Sequence, residues 1–262
     1  MEGGAEKRFV VVYRFASPQH RRHLGNFIHI RLQRAEGDKI GQMKLGGQSS
    51  RNPGAELTEK KARALAILRA LKRLFPNPRM QLNYSNNWEL LIAVVLSAQC
   101  TDKKVNEVTA ALFQKYRKLD DYLKAGPREF EKDIKPTGFY HSKAKNILAA
   151  AKVVKKEFGG SLPKTMDEML TIPGVGRKTA NVVLWNAYGV ISGIAVDTHV
   201  RRLSRLLSLT KQTDPDKIEK DLEELIPKKE WPYITYALIQ YGREYCPARS
   251  HNHAACPLSK IK

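Results

Sequence analysis

Acidic residues are what this chain is short of. Its 262 residues hold 26 Asp and Glu against 46 Lys and Arg, a formal net charge of +20 at pH 7. From Lys7 to Ala35 no acidic residue occurs, while Arg8, Arg14, Arg21, Arg22, Arg31 and Arg34 fall in the same stretch. An imbalance of that size predicts a polyanionic partner, bound with an affinity that falls as salt rises. Cysteine is scarce as well. Three cysteines, an odd number, do not build a disulfide framework and fit a reducing compartment. No apolar run reaches membrane-spanning length, since Leu90 to Ala98 is too short. The N-terminus lacks the compact apolar stretch and small-residue cleavage site of a secretory signal. After residue 57 no apolar–polar alternation reads as a strand, so the expected class is all-α.

What is present is a series of helix signals. Thr58 and Glu59 start a predicted helix carrying Leu65, Leu68, Leu71 and Phe75, stopped by Pro76 and Pro78. Asn86, with Glu89 three residues on, caps the run Trp88 to Ala98, which is apolar nearly all round and should be buried. Thr101 or Asp102 caps another helix, with Val105, Val108, Leu112 and Tyr116 on one face. Ser142 precedes Ala144, Ile147, Ala151 and Val154, with Gly159-Gly160 as the stop. Asp214-Pro215 starts a helix through Leu225, and Trp231 to Tyr245 is the last long one. Residues 1–56 read differently: basic first, then rich in Gly, Ser, Asn and Gln. They fit a flexible basic arm for DNA, an organelle transit peptide, or an extension with no function of its own.

The chain centres on Leu170-Thr-Ile-Pro-Gly-Val-Gly-Arg-Lys-Thr-Ala-Asn-Val-Val183 and on Val196-Asp-Thr-His199 beyond it. Thr165 and Glu168 form a capping box for a short helix. Pro173-Gly174-Val175-Gly176 is then a tight turn, with both glycines expected at positive φ. Arg177 onwards is helical again, with Ala180, Val183, Leu184 and Ala187 on one stripe. A Gly-x-Gly turn opening a helix presents unpaired N–H groups to an anion, ordinarily phosphate. Lys178 sits within the first turn of that helix, and Asp197 follows after an apolar, small-residue stretch.

Ile172 to Val183 followed by Ala195-Val-Asp-Thr-His-Val200 resembles the helix-hairpin-helix and catalytic segments of the endonuclease III family, DNA glycosylases with AP-lyase activity. The similarity runs from about Leu90 to the C-terminus. It implies two interleaved helical lobes with DNA in the cleft between them: residues 84–186 as a six-helix lobe, and residues 57–83 with 187–262 as the second. In the family, the residues matching Lys178 and Asp197 are the nucleophile and the acid. A neutral amine attacks the anomeric carbon, and a carboxylate steadies the positive charge that develops on the sugar. Arg177, the positive helix start and a partly dry cleft are expected to depress the lysine pKa. The lysine implies the bifunctional branch, which prefers oxidised pyrimidines. A non-catalytic helix-hairpin-helix DNA-binding protein and a monofunctional mismatch glycosylase are the alternatives.

The target base must leave the stack, and the gap must be filled. Leu96-Ser-Ala-Gln-Cys-Thr-Asp102 maps Gln99 onto the family's gap-filling residue, and Gly138-Phe-Tyr-His-Ser-Lys-Ala144 maps Phe139 onto the opposite wedge, often leucine in the family. Gly174, Gly176, Arg177 and Thr179 are expected at the phosphate, with His199 as support and Arg202 on the DNA backbone beside Arg201 and Arg205. The implied partner is double-stranded DNA with damaged bases or abasic sites, bound by a monomer inside the cell with no membrane involved. Family members hold a four-iron four-sulfur cluster on Cys-x6-Cys-x2-Cys-x5-Cys. Here those positions are Cys246, His253, Cys256 and Lys262, so no cofactor is expected. The alternative is a zinc set of Cys246, His251, His253 and Cys256.

Overall fold

Five of the eleven α-helices among the described residues begin where a side chain takes up the first unpaired N–H groups. Asn86 accepts from Glu89 N, Thr101 from Lys104 N, Thr165 from Glu168 N, Asp197 from Val200 N, and Asp214 from Asp216 N and Lys217 N. The computed structural model describes residues 53–261, so the basic extension read over residues 1–56 lies outside the described residues up to Asn52.

Eleven α-helices follow among the described residues: α1 Pro53–Leu74, α2 Asn87–Leu96, α3 Asp102–Lys115, α4 Leu119–Lys124, α5 Pro127–Ile134, α6 Tyr140–Glu157, α7 Met166–Leu170, α8 Arg177–Tyr188, α9 Thr198–Leu206, α10 Pro215–Leu225 and α11 Trp231–Glu244. No strand occurs among them, which makes the protein all-α. The helix expected from Thr58 begins at Pro53 instead. A proline is pre-set for the first helical position, and the Thr58 hydroxyl donates back to Gly54 O rather than capping. The helix expected after Ser142 begins at Tyr140, because Phe139 in the left-handed conformation turns the chain three residues earlier. The sequence reading did not place α4 and α5. With them and the five-residue α7, residues 84–186 hold seven helical segments rather than six.

Two apolar clusters organise the described residues. The first is built from α2 to α8 and centres on α2, whose Leu90, Leu91, Ile92, Ala93, Val94 and Leu96 are all buried. The leucine, isoleucine and valine side chains among them each contribute about 1.5–3 kcal/mol when buried. The second cluster joins Ile67 and Leu71 of α1 to Val200 and Leu203 of α9, Ile218 and Leu222 of α10, Leu238 and Tyr241 of α11, and Cys246, Cys256 and Leu258 beyond it. The chain enters the second cluster with α1, crosses to the first, and returns over Ile194 to Val196, where Ala195 still packs in the first. Lys178 on α8 and Asp197 at the start of α9 therefore stand on helices packed into different clusters and are brought together only by the fold.

Candidate active site and nucleic-acid cleft

The helix-hairpin-helix turn is held by Val175 N donating to Ile172 O at 3.0 Å. Pro173 and Gly174 occupy its two central positions, and Gly174 has φ +80, the geometry of a type II turn. A Cβ at Gly174 would lie 2.7 Å from Asn146 Cβ on α6, so any side chain fails there on both conformation and space. Gly176 departs from expectation. Its φ is −92, open to any residue, and a Cβ there meets nothing within 4 Å. Its role as N-cap of α8 leaves the first N–H groups of that helix pointing outward.

Lys178 projects from that first turn into a cavity of about 980 Å³ that Asp197 lines from the other side. Burial pushes the lysine pKa down, and the charges of Asp197 and Asp102 oppose that shift without reversing it. Arg177, expected to help, has been drawn away. Its Nε donates to Glu219 of α10 at 2.5 Å, where Glu219 also accepts from Asn181 at 2.8 Å, and Arg177 does not line the cavity. Desolvation, not cationic repulsion, is what lowers the pKa of the amine. Asp197 caps α9 through Oδ1, which accepts from Val200 N at 2.8 Å, leaving Oδ2 without a hydrogen bond among the described residues. As a fixed charge, Asp197 favours the ammonium form of Lys178, so any help with deprotonation must come from its accepting the proton.

Gln99 and Phe139 stand on the same cavity, both left-handed with φ 54 and 49, and Phe139 is 71% exposed. Positive φ at a non-glycine residue is strain, and strain of this kind gathers at functional sites. The turns that carry them are joined by a side chain the sequence reading quoted but did not single out. Lys143 is 5% exposed, and its Nζ donates to Leu96 O at 2.9 Å and to Thr137 O at 2.8 Å. The available signal was its place on the buried stripe of α6, four residues before Ile147. Asp102, one of the two candidate caps of α3, is its first residue, with Thr101 as the cap. It pairs with Arg243 of α11 at 2.8 Å across the rim.

The remaining expected residues divide. Gly174, Thr179, His199 and Arg201 line the cavity. His199 lies where α9 meets α11 so closely that a Cβ at Gly242 would be 2.4 Å from its Nδ1, and burial pushes its pKa down. Arg202 faces the opposite way and donates to Cys246 O.

A family model described as HhH-GPD superfamily base excision DNA repair protein matches residues 92–228. An endonuclease III of Synechocystis sp. is 47% identical over 206 residues, covering 79% of this chain and 94% of its own. The chain belongs to the endonuclease III family. A solved non-covalent endonuclease III–DNA complex superposes with a TM-score of 0.74 at 43% identity, covering 77% of this chain and 94% of that one. A trapped endonuclease III–DNA covalent intermediate, an estranged-adenine complex, has the same TM-score and coverage at 42% identity.

Within this endonuclease III framework the C-terminal loop corrects one expectation. No cofactor was anticipated, yet Cys246, His251, His253 and Cys256 bring one ligand atom each to within 4.8 Å of one another, a set able to hold a metal ion. Reading the positions against a four-cysteine pattern counted what was missing. The folded loop recruits His251, which that pattern does not contain. A four-iron cluster takes a thiolate at each iron, and this donor set supplies two thiols and two imidazoles.

Proposed function

We propose that the protein is a bifunctional DNA glycosylase and AP lyase of base-excision repair, acting on oxidised pyrimidines in duplex DNA. Lys178 Nζ, made less basic by burial in the cleft, attacks in its uncharged form the anomeric carbon of an everted nucleotide, and the C–N bond to the base breaks. Asp197 stabilises the positive charge on the sugar as that bond opens. The amine–sugar adduct becomes a Schiff base, and β-elimination expels the 3′ phosphate. Gln99 and Phe139 fill the gap, while the α8 start with Gly174 and Gly176, Thr179, His199 and Arg201 meet the backbone. Residues 84–186 form one lobe, and residues 57–83 with 187–262 the other.

One observation carries this reading: a lysine made less basic by burial and a carboxylate line one cavity from the starts of α8 and α9. Phosphate binding alone needs neither in combination. The two-cluster core supports the lobes, and the covalent intermediate trapped on a 42% identical relative supports the lyase step. The preference for oxidised pyrimidines is carried over from the family.

Borohydride reduction with abasic-site DNA tests the mechanism. Wild type forms a covalent adduct, and Lys178→Gln forms none while still binding DNA. A non-catalytic helix-hairpin-helix protein would give no adduct in wild type, which ends the proposal.

A further inference from the structure

We propose that Cys246, His251, His253 and Cys256 bind one tetrahedral zinc ion, which clamps the C-terminal loop against α9. Zinc takes sulfur at about 2.3 Å and imidazole nitrogen at about 2.0–2.1 Å, so a tetrahedral site sets its S···N edges at roughly 3.6 Å. The two closest ligand pairs match. Cys246 Sγ lies 3.6 Å from His253 Nδ1, and Cys256 Sγ lies 3.3 Å from His251 Nε2. A four-iron cluster binds each ligand to a different iron and would hold the donors farther apart than one ion does.

The surroundings fit a bound ion. His251 Nδ1 is 3.0 Å from Arg249 O, so this nitrogen carries the proton and donates it, leaving the Nε2 lone pair for metal. A metal-bound histidine is ordinarily oriented by such a carbonyl. Arg202 NH1 stands 3.6 Å from Cys246 Sγ, and its other nitrogen donates to Cys246 O, so the cationic side chain faces the sulfur that becomes a thiolate. Binding displaces one proton from each thiol, and with neutral imidazoles the site carries no net charge. The loop needs this help. Between Cys246 and Ile261 only Cys246, Cys256 and Leu258 are buried, too few to fix sixteen residues by packing. The ion thereby ties the loop to Arg202, on the helix that Asp197 caps.

Metal content, read without DNA, keeps this independent of the catalytic reading. The full chain purified under reducing conditions should hold about one equivalent of zinc. His251→Gln and Cys256→Ser should each leave less than roughly a tenth of that, and His251→Gln retains both thiols if the serine variant fails to fold. Cobalt added to metal-stripped wild type should give the visible d–d bands of a tetrahedral thiolate site. Chelation should lower Tm by several degrees and make Cys246 and Cys256 reactive toward a thiol reagent. About four irons per chain with inorganic sulfide overturns the proposal. So does a reduced protein that takes up neither zinc nor cobalt, or a His251→Gln variant with undiminished zinc.

Discussion

Lys178 and Asp197 influence each other in both directions, and that sets the pH behaviour of the site. Asp197 raises the lysine pKa while burial lowers it. In Asp197→Asn the opposing charge disappears, so the lysine loses its proton at lower pH than in wild type. Schiff-base trapping rises with pH through that pKa, and its midpoint should shift toward acid. Base release should fall about 10²–10³-fold as sugar-charge stabilisation is lost. Asparagine caps a helix as well as aspartate, so Tm should hold to within a degree or two. A midpoint that moved toward alkali would mean that the two groups do not share one environment. Phe139 allows a second test at this scale. With 71% exposure it contributes little to the core, and its φ of 49 is strained. Phe139→Gly should leave stability unchanged or raise it by about 1 kcal/mol. The same variant should weaken binding to DNA carrying a flipped-out base analogue. A clear fall in Tm would return Phe139 to the core.

Among the elements, the joint between the α2–α3 and α5–α6 turns depends on Lys143. Its ammonium satisfies Leu96 O and Thr137 O, the carbonyls that precede Gln99 and Phe139 by three and two residues. Lys143→Met keeps the bulk and removes both bonds. We expect a loss of about 2 kcal/mol, a Tm lower by roughly 4–8 °C, and weaker DNA affinity. The trapping rate at saturating DNA should change by no more than a few-fold, because Lys178 and Asp197 stand on other elements. A rate loss as large as that of Asp197→Asn would place Lys143 in the chemistry instead. The α8 start shows a related economy. Gly174 answers a conformational and steric demand, whereas a Cβ at Gly176 would meet nothing within 4 Å. Arg177 anchors the same helix start from behind through Glu219.

For the whole molecule, charge governs encounter with DNA. A net charge of +20 predicts that log affinity for undamaged duplex falls linearly with log salt. Arg201→Gln, which removes a cavity-lining cation, should reduce the slope by about 0.9. Arg202→Gln should change it much less, because that guanidinium is engaged with Cys246. Equal changes in the two slopes would contradict the different surroundings of these neighbours.

Residue order alone determined the helical class, most helix starts and the hairpin turn. Each of these is a local matter: a cap reaches three residues, a Pro-Gly turn spans four, and an apolar stripe repeats every turn. Only the tertiary structure decided how the distant pieces meet. It turned Arg177 to Glu219 and Arg202 to Cys246, and buried Lys143 between two turns. Those outcomes depend on contacts between segments up to 47 positions apart, as in the bond from Lys143 to Leu96. No local pattern encodes which partner a long, flexible or ionisable side chain will find once water has been excluded around it.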